Sequence, residues 1–357
     1  MNIVDNRKQT KIKVESFMDG LHEDVYILGT NKYGNAIALW LQNRNITVSG
    51  YINDYIENKI FNNLPVVSSK HQFIQSAIIN CIVEGRTIDA QKNIEKLNPL
   101  KSTDYFGLQY TYSTELPAVD FLTETDEIID HKDSYIALYN HLSDETSKQH
   151  LERIINFRLN RDINFLKDFE FILHQQYFEE FVKLKDSTSF VDGGGFDGAT
   201  TKQFVNKYPN FIKIFYFEPT EKSFQHSMQN LKNLSGITYF KKGLWNKETV
   251  LRFDETLSSA NKITKTGSVD IETVTLDEVI NEPIGYVKFD IEGAEKQALV
   301  GAKNIIKKYK PKLAICVYHN QSDFLDIPEI VLSYHKDYKI YLRHYTQGVF
   351  ETVMYFV

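Results

Sequence analysis

The chain has 357 residues, of which 42% are hydrophobic and 25% are charged, and these fractions are typical of globular proteins rather than of disordered chains. A net charge of −6 disfavours binding to a nucleic-acid backbone, and two cysteines, Cys81 and Cys316, are too few for a disulfide framework or a cysteine zinc site. No apolar run approaches the length of about 18 residues that a membrane span needs, and no secretory signal is visible, so we expect a soluble, cytoplasmic protein.

The beginning of the chain predicts a small Rossmann-like domain over residues 1–115. At roughly 150 residues per domain, a chain of this length is expected to form two domains. A strand over 24–28, a helix over 35–44 and a second strand over 47–52 follow one another. This β-α-β order is the usual start of a parallel α/β sheet.

The loop after the first strand resembles a nucleotide-binding turn in which one glycine is missing. Gly29 and Gly34 frame the loop, Asn31 stands in place of the middle glycine, and Asp54 follows twenty residues after Gly34. Two interpretations stay open for this domain. It recognises a nucleotide-linked sugar or a partner, or it is a structural module without a ligand.

Residues 116–186 predict a helical connector between two α/β domains. Leu151, Ile154 and Ile155 recur at helical spacing, and the same spacing continues from Ile163 onward. The charged residues between them are most simply explained as a solvated helix face.

Residues 187–357 predict a second α/β domain with a mostly parallel, seven-stranded, doubly wound sheet. Strands and helices alternate, and the last two strands, 339–342 and 351–356, predict an antiparallel hairpin at the sheet edge. Residues 249–275 interrupt this alternation with further β-like segments. The other predicted strands are 189–191, 212–217, 237–240, 286–289 and 312–317, and the helices are 200–208, 221–233 and 294–308.

Polar residues follow each predicted strand of this second domain. Ligands of open α/β sheets bind outside the carboxyl ends of the strands, so these residues are expected to converge on one edge. They are the segments Asp192–Gly198, Glu218–Pro219, Gly243–Leu244, Asp290–Gly293 and Tyr318–Asn320.

The glycine loop alone is compatible with two kinds of cofactor. Gly193–Gly198 fits G-x-G-x-x-G, and Glu218 follows twenty residues later, as in dinucleotide-binding enzymes. However, Asp192, Asp197 and Asp290 would repel a pyrophosphate. S-adenosylmethionine (SAM) carries a sulfonium and an ammonium, which acids attract, and its ribose hydroxyls suit Glu218. We therefore predict SAM as cofactor, with an NAD-linked oxidoreductase as the alternative.

At these residues the sequence resembles the FkbM family of SAM-dependent methyltransferases, over about residues 135–357. The resemblance implies a Rossmann-like class I methyltransferase domain, methyl transfer usually to oxygen, and S-adenosylhomocysteine (SAH) as product. Gly195 and Phe196 stand where the family more often has Ala and Asn. The matching segments are 190–198, 217–219, 275–277, 287–295, 299–302, 311–315 and 318–319, together with Gln176-Tyr177-Phe178.

The resemblance also implies the class of acceptor, which composition and spacing do not show. Family members commonly methylate sugars or natural-product hydroxyls, often in surface-glycan pathways. The expected partner is thus a small-molecule or glycan acceptor, with no nucleic acid and no membrane span, and association with a second copy stays open. A non-catalytic SAM-binding module is the second alternative.

The candidate catalytic residues are His319 and Asp290. A hydroxyl acceptor benefits from a general base, and histidine can accept a proton near neutral pH. Asp290 is expected in the active site, where it could orient His319 or contact a ligand. No tight ligand spacing supports a metal, so none is predicted, although Asp290, Glu292 and His319 are an alternative set of divalent-metal ligands.

The remaining candidates divide between cofactor and acceptor. The acceptor side is predicted to include Tyr177, Glu292, Arg343 and His344. The cofactor side is predicted to consist of Asp192, Gly193, Gly194, Gly195, Phe196, Gly198, Glu218, Pro219, Gly243 and Leu244.

Overall fold

The fold is known from a computed structural model, and the chain divides into two structural units. The structure describes residues 1–21, 24–56, 59–122, 125–254, 262–263 and 269–357. The first unit comprises residues 1–136, 149–173 and 344–350. The second unit comprises residues 137–148, 174–343 and 351–357.

The elements up to residue 173 are mostly those of the first unit, and α6 and α7 cross the division between the units. In chain order they are α1 (Arg7–Met18), β1 (Asp24–Leu28), α2 (Lys32–Gln42), β2 (Val48–Ile52), β3 (Ile60–Phe61), β4 (Leu64–Val67), β5 (Ser76–Asn80), α3 (Thr87–Leu97), β6 (Lys101–Asp104), α4 (Tyr105–Thr111), α5 (Asp126–Asp130), α6 (Lys132–His141), α7 (Glu145–Asn160) and a 3₁₀ turn (Ile163–Leu166).

The first unit contains a six-stranded sheet in the order β3-β4-β2-β1-β5-β6. Strands β4, β2, β1, β5 and β6 run parallel, and β3 pairs antiparallel with β4. Apolar side chains such as Ile27, Ile78 and Ile79 in the central strands are fully buried. The predicted Rossmann-like β-α-β start is therefore present.

The loop between β1 and α2 is arranged as a helix cap. The Asn31 side chain accepts hydrogen bonds from the backbone N–H groups of Tyr33 (3.0 Å) and Gly34 (2.9 Å). These are the donors that a phosphate would use at a helix N-terminus. Asp54 accepts the N–H of Ser69 at 2.6 Å. Both arrangements favour the interpretation of this domain as a structural module.

Helix α7 lies within the predicted connector, but most of it belongs to the first unit. Its Asn156 and Asn160 side chains accept the backbone N–H groups of Val4 (2.9 Å) and Asn6 (2.6 Å). The hydroxyl of Thr10 donates to the Asn160 carbonyl at 2.8 Å. Because α7 holds the N-terminal segment in this way, residues 116–186 do not form a separate connector but are divided between the two units.

The elements after residue 173 belong mainly to the second unit. They are a 3₁₀ turn (Leu173–Gln175), β7 (Ser189–Gly193), α8 (Ala199–Lys207), β8 (Lys213–Phe217), α9 (Glu221–Leu231), β9 (Ile237–Phe240), β10 (Gly243–Leu244), β11 (Thr249–Asp254), β12 (Lys262–Ile263), β13 (Val269–Val274), α10 (Leu276–Val279), β14 (Tyr286–Phe289), α11 (Glu295–Gly301), α12 (Lys303–Tyr309), β15 (Lys312–Cys316), α13 (Asp323–Tyr334), β16 (Ile340–His344) and β17 (Thr352–Phe356).

The main sheet of the second unit has seven strands in the order β16-β17-β15-β14-β7-β8-β9. Strands β15, β14, β7, β8 and β9 run parallel, and β17 pairs antiparallel with β15. Lys339 and Val357, which flank β16 and β17, exchange two backbone hydrogen bonds of 3.0 Å. The predicted mostly parallel sheet with a terminal hairpin is thus confirmed.

A smaller sheet, in the order β10-β13-β11-β12, accounts for the predicted interruption of the βα alternation. The predicted β-like stretch 249–275 contains β11 and β13, whereas 255–261 and 264–268 lie outside the described residues. Within the described part of the chain, no helix is both long and apolar enough to cross a bilayer.

Candidate active site

The glycine loop after β7 is pressed against the ends of two neighbouring strands. Gly194 has a φ of +74°, and a Cβ atom on it would lie 1.8 Å from the carbonyl oxygen of Asp290. A Cβ atom on Gly195 would lie 2.0 Å from the ring of Tyr216. A side chain is excluded by lack of space at both positions, and at Gly194 also by the positive φ. The loop therefore presents bare backbone, as a cradle for a cofactor requires.

Phe196 occupies the position where the family more often has Asn. Its φ of +50° lies in the left-handed region, which Asn adopts more readily than other side chains with a Cβ. The backbone N–H of Phe196 donates to Glu218 Oε2 at 3.0 Å, and its carbonyl accepts the hydroxyl of Tyr216 at 3.1 Å. The ring itself is 62% exposed. The backbone contacts of this position are thus kept without the Asn side chain.

Glu218 links the glycine loop to the end of β8. Its Oε1 accepts the N–H (2.9 Å) and the hydroxyl (2.6 Å) of Thr220, and its Oε2 accepts the N–H of Phe196. Burial raises the pKa of Glu218, and the hydrogen bonds from Thr220 and Phe196 oppose that rise only in part. A carboxylate offers about four lone-pair positions, so Glu218 can accept a ligand hydroxyl in addition. This capacity fits the predicted contact with ribose.

We expect the Glu218→Gln substitution to raise the dissociation constant of SAH about 10- to 100-fold, as measured by calorimetry. Hydrogen bonds to charged groups contribute about 1.5–3 kcal/mol, and the amide loses one of the two acceptor oxygens. Glu221→Gln is a matched control, because Glu221 is exposed and pairs with Lys241. Equal SAH affinity in the two variants would exclude Glu218 from the cofactor site.

Asp192 is fully buried and pairs with a lysine inside the sheet. Its Oδ1 lies 3.2 Å from Lys288 Nζ, and its Oδ2 accepts the hydroxyl of Thr201 at 2.7 Å. Lys288 Nζ also donates to the carbonyls of Gly193 (3.1 Å) and Gly194 (2.7 Å). Burial opposes the charge of Lys288, but Asp192 and Asp290 raise its pKa overall, so it stays protonated.

This arrangement corrects the role predicted for Asp192. Because Lys288 balances its charge, Asp192 does not attract the positive groups of SAM directly; it and Lys288 position the glycine loop instead. Lys288 was not among the predicted site residues. Its position among the apolar residues of β14 was the signal that a buried partner was required.

Leu244 lies beside the loop, and Gly243 and Pro219 are neighbours in sequence of Leu244 and Glu218. A Cβ atom on Gly193 would lie 2.9 Å from Leu244 Cδ1, so this buried leucine packs directly against the loop. Gly243 and Leu244 form β10, which pairs with β13. Pro219 directly follows Glu218 at the end of β8. Gly198, with a φ of +84°, ends the loop and caps α8.

Four residues form a carboxylate–imidazole cluster after β14 and β15: Asp290, Glu292, Glu295 and His319. His319 is buried, and its Nδ1 lies 3.0 Å from Glu295 Oε1. On the other side of the ring, Nε2 lies 3.6 Å from Asp290 Oδ1 and 3.5 Å from Glu292 Oε2. The structure thus brings together both predicted catalytic residues and the predicted acceptor residue Glu292.

Two tyrosines orient Asp290. The hydroxyl of Tyr177 donates to Asp290 Oδ2 at 2.9 Å, and that of Tyr318 donates to Oδ1 at 3.1 Å. Tyr177 is itself buried, and its N–H donates to the hydroxyl of Tyr355 at 3.0 Å. The prediction that Tyr177 contacts the acceptor therefore changes to a positioning role, because its hydroxyl is already bound to Asp290.

The electrostatics of the cluster do not fit His319 as the general base. Burial lowers the pKa of His319, but the surrounding carboxylates of Glu295, Glu292 and Asp290 raise it to about 10. At neutral pH the ring is then an imidazolium, which has no lone pair to accept a proton. Burial raises the pKa of Glu292 to about 8. Burial by itself would raise the pKa of Asp290, but the nearby charges of Lys288 and His319 lower it overall.

The predicted acceptor contacts of Arg343 and His344 need correction, because both side chains are engaged elsewhere. Arg343 Nη2 lies 2.6 Å from Asp144 Oδ2, and its Nη1 donates to the Ser147 hydroxyl at 2.8 Å. His344 is counted with the first unit, where its buried ring packs on Phe169 with a centroid distance of 4.5 Å. These partners lie too far away in sequence to be recognised from local patterns.

Neither Glu351 nor Glu295 was among the predicted site residues. Burial raises the pKa of Glu351 to about 7, and its Oε2 accepts the amide of Gln176 at 2.5 Å. Glu295 Oε1 does accept the Ile291 N–H (2.8 Å) at the start of α11, but the same oxygen also faces His319. The pairing of Glu295 with His319 had one local signal in the sequence. The acid follows β14, and the histidine follows the neighbouring strand β15.

Comparisons with known proteins agree with this geometry. Residues 192–345 match the family model described as Methyltransferase FkbM domain. The structure of an FkbM methyltransferase from Methylobacillus flagellatus KT is similar over 99% of this chain and 94% of its own, with a TM-score of 0.74 and 22% identity. The resemblance found in the sequence and the class I methyltransferase fold are thereby confirmed.

Two further solved structures align with about half of this chain. An rRNA methylase from Streptococcus thermophilus aligns with 48% of this chain and 88% of its own (17% identity, TM-score 0.31). Fibrillarin from Aeropyrum pernix with bound SAM aligns with 49% and 68% (11% identity, TM-score 0.31). No curated protein is significantly similar in sequence.

Proposed function

We propose that the chain is a SAM-dependent methyltransferase that methylates a hydroxyl oxygen, because residues 192–345 match the FkbM methyltransferase domain. The acceptor that we propose is a sugar, a glycan precursor or a natural-product small molecule. This class follows from the family resemblance. The NAD-linked oxidoreductase, which the glycine pattern alone left open, is set aside because the family match assigns the loop to a methyltransferase.

The observation that supports O-methylation is the carboxylate–imidazole cluster beside the glycine loop. The Asp290 carbonyl is in close contact with Gly194, so the loop and the cluster belong to one site. The Asp290 and Glu292 side chains are 22% and 26% exposed, whereas Glu295 and His319 are buried. The cluster thus presents the carboxyl groups of Asp290 and Glu292 to an entering acceptor. The positively charged ring of His319 lies buried behind them.

The chain's own residues hold the cofactor and orient the acceptor. Gly193–Gly195 and Glu218 would hold SAM, which supplies the activated methyl group when bound. Much of the rate enhancement then comes from alignment of the acceptor oxygen and exclusion of water. Asp290, which is ionised and held by two tyrosine hydroxyls, accepts the hydrogen bond of the acceptor hydroxyl and takes its proton. His319 stabilises the ionised form of Asp290.

The test is a transfer assay with SAM labelled in its methyl group. The panel should contain free sugars, nucleotide-linked sugars, hydroxylated small molecules, amines and carboxylates. We expect the label in an alkali-stable methyl ether, identified by mass spectrometry. Label on nitrogen or in an alkali-labile ester would contradict O-methylation. SAH binding without transfer to any member of the panel would favour a non-catalytic SAM-binding module.

A further inference from the structure

We propose that Asp290, Glu295 and His319 form a binding site for one divalent transition-metal ion. One ligand atom from each residue lies within 4.8 Å of the ligand atoms of the other two. Metal–ligand bonds to oxygen and nitrogen are about 2.0–2.3 Å long, so ligands of one ion lie within about 4.6 Å of one another.

A buried carboxylate oxygen is the independent observation that points to a cation. Glu295 is fully buried. Its Oε1 accepts the Ile291 N–H and faces His319, but its Oε2 has no hydrogen-bond partner among the described residues. Buried carboxylate oxygens are normally hydrogen-bonded or bound to a metal. An ion next to Glu295 would satisfy this oxygen.

The charges around the cluster also favour a bound cation. Asp290, Glu292 and Glu295 bring three carboxyl groups around a single imidazole. The two nearby lysines make their ion pairs with other acids: Lys288 with Asp192, and Lys296 with Asp323 and Asp326. A divalent cation would balance two of the carboxylates and use the imidazole as a neutral ligand.

The side chains around the three ligands resemble those of a metal site. Metal-binding carboxylates are usually held by further hydrogen bonds, and Asp290 accepts the hydroxyls of Tyr177 and Tyr318. The partial exposure of Asp290 leaves one side open to water. Carboxylates suit Mg²⁺ and Mn²⁺, whereas imidazole favours transition metals, so Mn²⁺ fits this set best.

The experiment measures Mn²⁺ binding to the chelator-treated full-length chain, without SAM or acceptor. We expect one ion per chain by electron paramagnetic resonance, at least tenfold tighter binding of Mn²⁺ than of Mg²⁺, and nitrogen coupling from the imidazole in pulsed spectra. Glu295→Gln should weaken Mn²⁺ binding at least tenfold. Glu282→Gln is the matched control, since Glu282 pairs with Lys213 on the surface, and it should bind Mn²⁺ normally.

The inference goes beyond methyl transfer and can fail separately from it. SAH affinity and thermal unfolding show whether Glu295→Gln is folded; if it is not, Asp290→Asn replaces it and should show the same loss. Substoichiometric Mn²⁺, absent nitrogen coupling, or a folded variant with unchanged Mn²⁺ affinity would overturn the metal site. Any of these results would contradict the metal site. If the chelator-treated enzyme still formed the methyl ether, the proposed function would stand without the metal.

Discussion

The Lys288→Met variant is expected to lose about 3–5 kcal/mol of free energy of unfolding relative to the unmodified chain. Lys288 is buried in β14, where its Nζ lies 3.2 Å from Asp192 Oδ1 and donates to the carbonyls of Gly193 and Gly194. Methionine matches the length of the side chain but leaves the Asp192 carboxylate buried without its counterion. Urea unfolding followed by circular dichroism measures the loss.

A double-mutant cycle separates this electrostatic effect from a packing defect. Adding Asp192→Asn to Lys288→Met removes the buried charge, so the double variant should be more stable than the Lys288→Met single variant. Lys241→Met is the control on the surface, where Lys241 pairs with Glu221, and it should change stability by less than about 0.5 kcal/mol. A loss below about 1 kcal/mol in Lys288→Met would show that the pair does not hold the loop.

Asp290→Asn is expected to slow methyl transfer about 100- to 10,000-fold, the usual range for loss of a proton-accepting group. The amide keeps the shape of the carboxylate but cannot take the proton of the acceptor hydroxyl. The glycine loop contacts the backbone carbonyl of Asp290 rather than its side chain, so SAH affinity should stay within about threefold. Single-turnover rates with labelled SAM, and calorimetry with SAH, measure the two effects.

Tyr177→Phe distinguishes catalysis from positioning at this site. It removes the hydroxyl that donates to Asp290 Oδ2 but leaves the carboxylate and its second donor, Tyr318, in place. We therefore expect a smaller loss of rate, about tenfold, with SAH affinity retained. If Asp290→Asn kept a rate within tenfold of the unmodified enzyme, Asp290 would not be the proton acceptor.

Several strands of the second unit could be predicted closely from local sequence. The predicted strands 237–240 and 286–289 coincide with β9 and β14, because short apolar runs between turn residues are a local signal. The rule that ligands bind at the carboxyl ends of parallel strands then placed the glycine loop, Glu218, Asp290 and His319 at one edge of the sheet. The first unit was less predictable, since it contains segments separated by more than 170 residues.

The roles of individual side chains could not be predicted in the same way. Arg343 finds its partner Asp144 at a separation of 199 residues, so its ion pair cannot be recognised from neighbours in the chain. His319 was expected to be a base because the ordinary pKa of histidine lies near neutrality. Three carboxylates around a buried ring reverse that expectation, since the pKa depends on distance and burial.

The sequence by itself determined the fold class, the order of the motifs and the cofactor. These follow from periodicity and spacing along the chain, from the glycines that a close backbone approach demands, and from family resemblance. Only the tertiary structure decided that Asp192 pairs with Lys288 inside the sheet and that His319 lies among three carboxyl groups. The physical reason is that electrostatic free energy depends on distances and on the exclusion of water, and both are set when remote segments pack together.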